Sequence, residues 1–277
     1  MITGLPRIAI AMASHDYPSA IEAFREQVGM EVRDLSSETV PGLGAHVGMC
    51  QPAGGSNVEL MAPSDPDASL SMALQRFLDR RGTGLYALML EAADPDAEAE
   101  ELALRGLNVL PLMPGASGRD LHPNSTHGVL IRVYPTGSVA QPGAPTTGPL
   151  GIGGIARVVV AVHDAGAAAK TYGHGLGLTT TQPARDRERG VMVCHATPPE
   201  GAVIELVAPV DVEHPFAAAI AAHLDAKGEG MVALVLGASD PAESVAGLVN
   251  RGMNVDVAGP LGPEFSLFGT RLVLAES

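Results

Sequence analysis

Apolar residues along the chain follow in turn the two-residue period of strands and the longer period of helices. Residues 5–12 form a short apolar run that is typical of a buried strand. A helix is predicted after it, because Asp16 can cap it, Pro18 suits its first turn and Gly29 can end it. Strand-like runs separated by turns rich in Gly and Pro then cover residues 30–35, 44–50 and 57–62. This order predicts a βαβββ module.

The same order of elements recurs after a connecting helix. Residues 69–81 have helical spacing and are followed by Gly82, a common helix stop. The next segments predict a strand, a helix and three more strands, at residues 85–91, 94–105, 108–112, 120–122 and 128–134. The plan then returns, with a strand at 155–162, helices at 165–174 and 214–227, strands to 208 and a last module to 275. Four modules are therefore predicted.

Two stretches of the sequence are copies of one unit. Residues 87–109 contain Asp-Pro, a short helical stretch and Arg-Gly-Leu-Asn-Val, and residues 233–255 contain Asp-Pro and Arg-Gly-Met-Asn-Val at the same spacing. A repeat of this length marks a duplicated structural unit. Pro and Gly dominate residues 135–153 and break both periods, which predicts a linker. We therefore predict an α+β fold of two tandem domains, residues 1–134 and 154–277, each of two βαβββ modules.

Composition excludes several classes of partner. The formal net charge of −14 and the isoelectric point near 4.9 argue against nucleic acid, which clustered Lys and Arg bind. No apolar stretch reaches the roughly 18 residues that span a bilayer. Residues 1–7 lack the features of a signal peptide, so a cytoplasmic protein with no membrane partner is expected. Cys50 and Cys194 lie in apolar runs and are expected to be buried strand thiols.

Two short segments carry a family resemblance. They read Gly-Thr-Gly-Leu-Tyr-Ala at residues 82–87 and Leu-His-Pro-Asn-Ser-Thr-His-Gly-Val-Leu-Ile at residues 121–131. With four paired βαβββ modules, they make the chain resemble the vicinal oxygen chelate superfamily, in particular its methylmalonyl-CoA epimerase and glyoxalase members. The resemblance implies that each module pair forms a cupped, open barrel whose hollow holds a divalent metal. The implied ligands are His, Gln and Glu from the first and last strands of each module.

The positions that the resemblance assigns to metal ligands have lost the ligand chemistry. In the N-terminal half they are Arg7, Glu59, Ala87 and Arg132, and in the C-terminal half Arg157, Glu205, Ala233 and, by a looser alignment, Val273. Arginine stays protonated and has no lone pair to donate to a cation. One carboxylate beside two guanidinium groups cannot form a divalent metal site. We therefore expect no metal and no other cofactor.

The same residues indicate an anion site in the N-terminal hollow. Arg7 and Arg132 are expected to leave one net positive charge beside Glu59. Strand alternation places Tyr134 on the face of Arg132, and His122 flanks a nearby turn. The predicted activity is a metal-independent isomerase or lyase that acts on a small carboxylate or acyl thioester, with Glu59 as the catalytic base. The residues predicted to bind this anionic substrate are Arg7, Arg132, Tyr134 and His122.

Two other functions stay open. The first is a non-catalytic protein that binds a small molecule, as resistance members of the superfamily do, although the chain has only 3% aromatic residues and no Trp. The second is a degenerate paralogue whose hollows are both filled. In the C-terminal hollow Arg157 and Glu205 are expected to neutralise each other. An open N-terminal hollow would favour a ligand, and a packed one with paired charges would favour the paralogue. Whether the chain forms a homodimer also stays open.

The remaining polar residues are expected to be structural. Single histidines at strand positions or strand ends are usually core or rim residues, and these are His15, His46, His163 and His195. His122 and His127 flank a turn and are weaker candidates for chemistry. Residues 185–189 alternate in charge and predict a solvated turn. The glycines of residues 151–154 lie in the linker region and are not followed by the Lys of a phosphate-binding loop, so they do not indicate a nucleotide site.

Overall fold

The computed structural model describes residues 1–37, 43–138 and 148–277, and in these ranges the chain forms two mixed β-sheets. The first sheet contains β1 (Ile2–Ala11), β2 (Val32–Asp34), β3 (Ala45–Cys50), β4 (Asn57–Pro63), β5 (Gly84–Ala92), β6 (Arg119–Leu121) and β7 (Leu130–Pro135). The second contains β8 (Ile152–Ala161), β9 (Thr179–Thr180), β10 (Ala184–Asp186), β11 (Val191–Thr197), β12 (Val203–Pro209), β13 (Gly230–Ala238), β14 (Glu264–Leu267) and β15 (Thr270–Glu276).

Helices connect the strands of both sheets. They are α1 (Tyr17–Glu22), α2 (Ser69–Arg81), α3 (Pro95–Leu104), α4 (Ala165–Lys170), α5 (Pro215–Lys227) and α6 (Pro241–Asn250). α1 and α4 each continue into a wider, π-helical turn, Ala23–Gln27 and Thr171–Gly175. No helix within the described ranges is long and apolar enough to cross a membrane.

The strand order is the same in the two sheets. It is β2-β3-β4-β1-β5-β7-β6 in the first and β10-β11-β12-β8-β13-β15-β14 in the second, where β9 also pairs with β11. In each sheet one central antiparallel pair, β1 with β5 or β8 with β13, joins the two modules. Neither sheet closes on itself. This arrangement confirms the predicted α+β fold of two tandem module pairs.

Alternation along the central strands gives each sheet two buried faces. Ile8 belongs to a core that continues across both sheets, whereas its neighbour Ala9 belongs to a separate core on the opposite face. We call this opposite face the inner face. Leu74 of α2 packs on the inner face of the first sheet, and Ile220 of α5 packs on that of the second. Each hollow is therefore covered by a helix.

Two equivalent contacts interlock the domains. A Cβ atom on Gly128 would lie 1.8 Å from the carbonyl oxygen of Glu229, and one on Gly269 would lie 2.1 Å from that of Thr83. Both glycines precede the last strand of their sheet, and their φ angles are +76° and +66°. Only glycine allows so close an approach in this backbone conformation. The domains are thus related by an approximate two-fold axis through their junction.

Two details of the predicted elements are wrong. Residues 108–112 do not form a strand, since only Val109 pairs there, in an isolated bridge with Leu121. Pro111 has no amide hydrogen, so it cannot donate to a ladder of hydrogen bonds. Asp16 precedes α1, but its side chain makes no capping hydrogen bond.

The predicted linker, residues 135–153, lies partly outside the described residues. β7 extends through Pro135, and β8 begins at Ile152, three residues before the predicted start. The amide of Gly154 donates to the backbone oxygen of Ala53, and that of Ile155 donates to the backbone oxygen of Ser56. The start of β8 is therefore hydrogen-bonded to the loop before β4 in the first domain. These hydrogen bonds order the C-terminal end of the Gly-rich stretch.

Candidate functional site

The predicted residues of the N-terminal hollow lie on the inner face of the first sheet, in two buried groups. Arg7, Glu59 and Arg132 are only 3%, 7% and 4% exposed. β1 and β4 pair in parallel and carry the first two, while β7 lies beyond β5 and carries the third. Tyr134 stands two residues after Arg132 on the same face and contacts the first group, so it lies between the two guanidinium groups.

Arg7 is held in the first group by two carboxylates. Its Nε lies 3.2 Å from Oε2 of Glu59, and its Nη1 lies 3.8 Å from Oε1 of Glu91. The same Nη1 donates to Oγ of Ser138 at 2.8 Å. The guanidinium also stacks on the ring of Tyr134, with Cζ 4.6 Å from the ring centre. Arg7 therefore has its charge compensated within the protein.

Arg132 forms the second group with Asp120, which the sheet register places opposite it. Nη2 of Arg132 donates to Oδ2 of Asp120 at 3.1 Å, and Nε lies 3.0 Å from Oδ1. The Nε contact is an ion pair without hydrogen-bond geometry, so the buried Nε hydrogen has no hydrogen-bond partner among the described residues. The guanidinium also faces the ring of Tyr86, at 5.6 Å from its centre.

The expected excess of positive charge in this hollow is wrong. Two guanidinium groups face three carboxylates, which leaves one formal negative charge. The prediction missed Glu91 and Asp120; strand alternation was a sequence signal for the face of Glu91, whereas the pairing of Asp120 with Arg132 follows from the sheet register. Glu91 follows Met89 by two residues on the inner face of β5, and Asp120 lies on the edge strand that pairs with β7.

A cavity of about 480 Å³ opens beside the second group. Phe77, Tyr86 and Leu130 form part of its apolar wall. Five cationic side chains and two carboxylates also line it, an excess of three positive charges, and they are Arg76, Arg80, Arg81, Arg132, Lys227, Asp120 and Glu229. The excess is notable because the whole chain carries −14. The cavity is therefore the positively charged recess of an acidic protein.

Two of the five predicted site residues reach this cavity. Arg132 and His122 line it, whereas Arg7, Glu59 and Tyr134 are absent from its lining. His122 begins a short helical turn, and its Nδ1 accepts a hydrogen bond from the amide of Asn124 at 3.1 Å. The structure thus separates the predicted site into a part that borders the cavity and a part buried behind it.

Burial changes the acidity of the groups around the cavity. It raises the pKa of Asp120 above its ordinary value and outweighs the opposing attraction of Arg132. The pKa of the Tyr86 and Tyr134 phenols is raised for the same reason. On the opposite wall, burial and then the charges of Lys227, Arg81 and Arg271 lower the pKa of His223 to about 4. The field at that wall is therefore positive.

Other predicted residues have structural roles. His127 bridges the domains, with Nδ1 2.9 Å from Oε2 of Glu229 and Nε2 3.2 Å from Oγ1 of Thr171. His46 stacks on Tyr17, at 5.2 Å between ring centres. His15 is exposed, and His163 uses its backbone amide to bind Glu229. Cys50 and Cys194 are buried free thiols, as predicted.

The C-terminal hollow is packed with apolar side chains. Val159, Val207, Val235 and Val273 of the sheet contact Phe216 and Ile220 of α5 in one cluster. Val273 pairs with Glu264 as Arg132 pairs with Asp120, so this hollow has valine where the first has arginine.

Arg157 does not form the expected ion pair with Glu205, although its charge still lowers the pKa of that carboxyl. Oε1 of Glu205 instead lies 3.1 Å from Nη1 of Arg189 and 3.3 Å from Nε2 of His195. Arg189 also binds Asp186 at 2.7 Å. The residues 185–189 are therefore more than a solvated turn, because their last arginine neutralises a carboxylate that is 1% exposed. His195 is the second partner, which its place in β11 opposite Glu205 explains.

The donor set does not fit a divalent metal at the positions that the family resemblance implies. Arg7 and Arg132 occupy two of the four positions in the first domain, and Ala87 occupies another. The remaining carboxylate, Glu59, is already in an ion pair with Arg7. In the described part of the chain, no three His, Cys, Asp or Glu side chains are grouped so that they could hold a metal ion. We therefore assign no chemistry to a metal here.

Comparisons with known proteins agree on the fold. A variant of 4-hydroxymandelate synthase from Streptomyces coelicolor is 14% identical, with 92% of this chain and 77% of that chain covered and a TM-score of 0.65. A fusion of a xylose isomerase-like TIM barrel with 4-hydroxyphenylpyruvate dioxygenase is 13% identical, with 92% and 40% covered and a TM-score of 0.62.

A smaller relative matches about one domain. Methylmalonyl-CoA epimerase from Mycobacterium tuberculosis is 29% identical over 49% of this chain and 89% of that one, with a TM-score of 0.39. A search among curated protein sequences finds no match. The profile described as "Glyoxalase/Bleomycin resistance protein/Dioxygenase superfamily" matches residues 9–122 and 156–263, once in each domain. The chain therefore belongs to this superfamily, the vicinal oxygen chelate proteins.

Proposed function

We propose that the chain is a metal-independent isomerase or lyase that takes a small carboxylate or acyl thioester into the cavity beside Arg132. The observation that carries the proposal is the ion pair of Arg132 and Asp120 at the edge of a cavity with an excess of positive charge. A guanidinium group can hold an anionic oxygen, and a carboxylate next to it can accept a proton. Both groups are fixed by the pairing of β6 with β7.

Asp120 is better placed than Glu59 to move a proton. Asp120 lines the cavity, and burial raises its pKa, which makes its carboxylate a stronger base. Glu59 lies outside the lining, 3.2 Å from Arg7. Pairing with a guanidinium normally makes a carboxylate a weak base, and it affects both groups, but burial outweighs it for Asp120. We therefore assign the proton transfer to Asp120 and keep Glu59 as the alternative base.

The ion pair of Arg132 and Asp120 also provides a way to stabilise the negative charge that forms during the proposed reaction. When Asp120 accepts a proton from the carbon next to the substrate carbonyl, the carboxylate becomes neutral and releases its hold on Arg132. The negative charge moves to the enolate oxygen, which Arg132 then stabilises. Return of the proton from Asp120 to a second carbon of a conjugated substrate anion, rather than to the carbon that it left, completes an isomerisation and restores the ion pair. The total charge around the guanidinium group stays constant throughout.

The test is hydrogen exchange between substrate and solvent. Candidate acids and acyl thioesters are first screened by thermal shift, and the ligands found are incubated with the protein in D₂O and followed by NMR. We expect deuterium at the carbon next to the carbonyl with the wild-type protein. Asp120→Asn should still bind and should lose the exchange, whereas Glu59→Gln should keep both. Loss of exchange only in Glu59→Gln would move the base to the buried group.

Arg132 needs a paired variant, because Arg132→Met alone would leave Asp120 buried without its partner. Arg132→Met combined with Asp120→Asn should lose binding as well as exchange. The expected loss is roughly 1.5 to 3 kcal/mol per charge-assisted contact, which is on the order of tenfold or more in affinity. Unchanged affinity in the double variant would refute the site.

A specific observation favours a second candidate, a non-catalytic binding protein. His127 is held in the domain junction, and Nδ1 of His122 is held in a turn. His223 lines the cavity, but its pKa is lowered to about 4, which makes it a weak proton acceptor. Binding without deuterium exchange in the wild-type protein would support this candidate over the enzyme.

A further inference from the structure

The outer wall of the cavity carries a group of four cationic side chains that the proposed function does not use. Arg76, Arg80 and Arg81 come from α2, and Lys227 comes from the last turn of α5 in the other domain. We call these four residues the cationic rim. Arg81 reaches the end of α5 directly, since its Nη1 donates to the backbone oxygen of Lys227. The two domains thus build the rim together.

The rim charges are not compensated by neighbouring carboxylates. Within the described ranges, no ion pair of 4.0 Å or less joins an acidic side chain to any of the four. The two carboxylates of the cavity have other partners, since Asp120 binds Arg132 and Glu229 binds His127. Like charges in one recess repel each other, so an external anion would relieve the repulsion.

His223 reports the same positive field from inside the wall. It lines the cavity on α5, one turn before Lys227. After burial, the causes that lower its pKa are the charges of Lys227, Arg81 and Arg271. Two of these three belong to the rim. Arg81 and Lys227, from different domains, are therefore close enough together to act on one shared point.

Helix ends explain only part of this arrangement. Basic side chains are favoured in the last turn of a helix, where Arg80, Arg81 and Lys227 lie. Arg76 lies a turn earlier and lines the same cavity. The ends of both helices bring partial negative charge to the site, so attraction for an anion has to come from the side chains.

We propose that the cationic rim binds the phosphate or diphosphate end of a ligand. A single carboxylate would neutralise one of the four charges, whereas a diphosphate neutralises most of them and offers oxygens to several guanidinium forks. This inference deepens the proposed function, because the rim would hold one end of the molecule whose other end meets Arg132. It does not depend on the chemistry at Asp120.

Calorimetric titration with inorganic pyrophosphate at low salt tests the rim. We expect saturable binding to the wild-type protein and a loss of at least about tenfold in affinity for Arg80→Gln combined with Lys227→Gln. Both side chains are exposed, so the fold should be spared. The matched control is Arg185→Gln, an exposed arginine on β10 outside the cavity, which should bind as the wild type does.

A second readout separates the rim from charge attraction in general. NMR titration should show that pyrophosphate raises the pKa of His223 from about 4 toward its ordinary value of 6.5. Citrate at the same concentration should bind at least about tenfold more weakly, because its carboxylates spread their charge over a larger molecule than two linked phosphates do. Equal binding of citrate, an unaffected double variant or no binding of pyrophosphate would each overturn the proposal.

Two further experiments identify the kind of molecule that carries the phosphates and separate rim binding from the proposed reaction. Tighter binding of a nucleoside diphosphate than of pyrophosphate would show that an organic part fills the cavity, and equal binding would indicate a site for the inorganic anion. Asp120→Asn should keep pyrophosphate binding even if it loses deuterium exchange. Failure of the rim and failure of the proposed reaction are therefore distinguishable.

Discussion

Replacement of Glu205 by Gln should destabilise the C-terminal domain. The carboxylate is 1% exposed, and its Oε1 is bound by Arg189 at 3.1 Å and by His195 at 3.3 Å. Gln keeps the shape and removes the charge of the acceptor, so both contacts become weaker. Loss of one partner from a buried ion pair costs about 3 to 5 kcal/mol when the other is left alone. Here Arg189 is 29% exposed and keeps Asp186, so we expect roughly 2 kcal/mol.

Urea unfolding at pH 7 measures this cost, with Glu188→Gln, an exposed neighbour, as the control. A double-mutant cycle with Arg189→Met should give a coupling of about 1 to 2 kcal/mol. The cycle with Arg157→Met should give a smaller coupling, because Arg157 acts on Glu205 only through its charge, whereas Arg189 and His195 contact the carboxylate. A coupling to Arg157 as large as that to Arg189 would refute the assignment.

The cost should also depend on pH. Burial opposes ionisation of Glu205, but the hydrogen bond from His195 and the charges of Arg189 and Arg157 lower its pKa below the ordinary 4.5. A lowered carboxyl pKa stabilises the fold above the unfolded value, and that contribution is lost as pH falls through the folded value. The difference between wild type and Glu205→Gln should therefore shrink below pH 4.5. A constant difference down to pH 3 would contradict this linkage.

Three other changes give separate tests. Leu74→Ala should cost about 2 to 5 kcal/mol in urea unfolding, because Leu74 of α2 is 0% exposed against the sheet. A cost under about 1 kcal/mol would mean that α2 does not cover the hollow. Gly128→Ala should lower the melting temperature far more than Gly106→Ala. Both glycines have positive φ, but only a Cβ atom at residue 128 would clash with a carbonyl oxygen, that of Glu229, and equal losses would exclude this clash. Between pH 6.5 and 4 the unfolded chain binds a proton at His223 more strongly than the folded protein does, so the wild type should lose stability as pH falls. His223→Gln should remove this part of the loss, and an unchanged pH profile would show that His223 does not cause it.

The fold could be predicted from the sequence because hydrophobic periodicity is visible within short segments and the repeat is visible as two similar stretches. The alternation of Ile8 and Ala9 between two cores is visible in residues 5–12. The strand expected at residues 108–112 failed because one isolated pair and a proline do not make a ladder. Local signals were thus sufficient for most elements and misleading where pairing was weak.

The site was harder, because its charges come from separate elements. Arg7 and Arg132 were identified, but their partners Glu91 and Asp120 lie on other strands, and only the sheet register brings them together. The cationic rim was harder still to predict, because α2 and α5 belong to different domains and meet only at the domain junction. No spacing along the chain encodes that meeting.

The two interlocking glycine contacts also bear on the origin of the chain. Gly128 approaches Glu229 as Gly269 approaches Thr83, so the junction uses the same patch on both halves. A self-complementary patch of this kind is the hallmark of a two-fold symmetric dimer. A single-copy ancestor could therefore have assembled as a homodimer with two identical recesses. Fusion of the copies freed each recess to change alone, which accounts for a cavity with Arg132 in one half and a hollow packed around Val273 in the other.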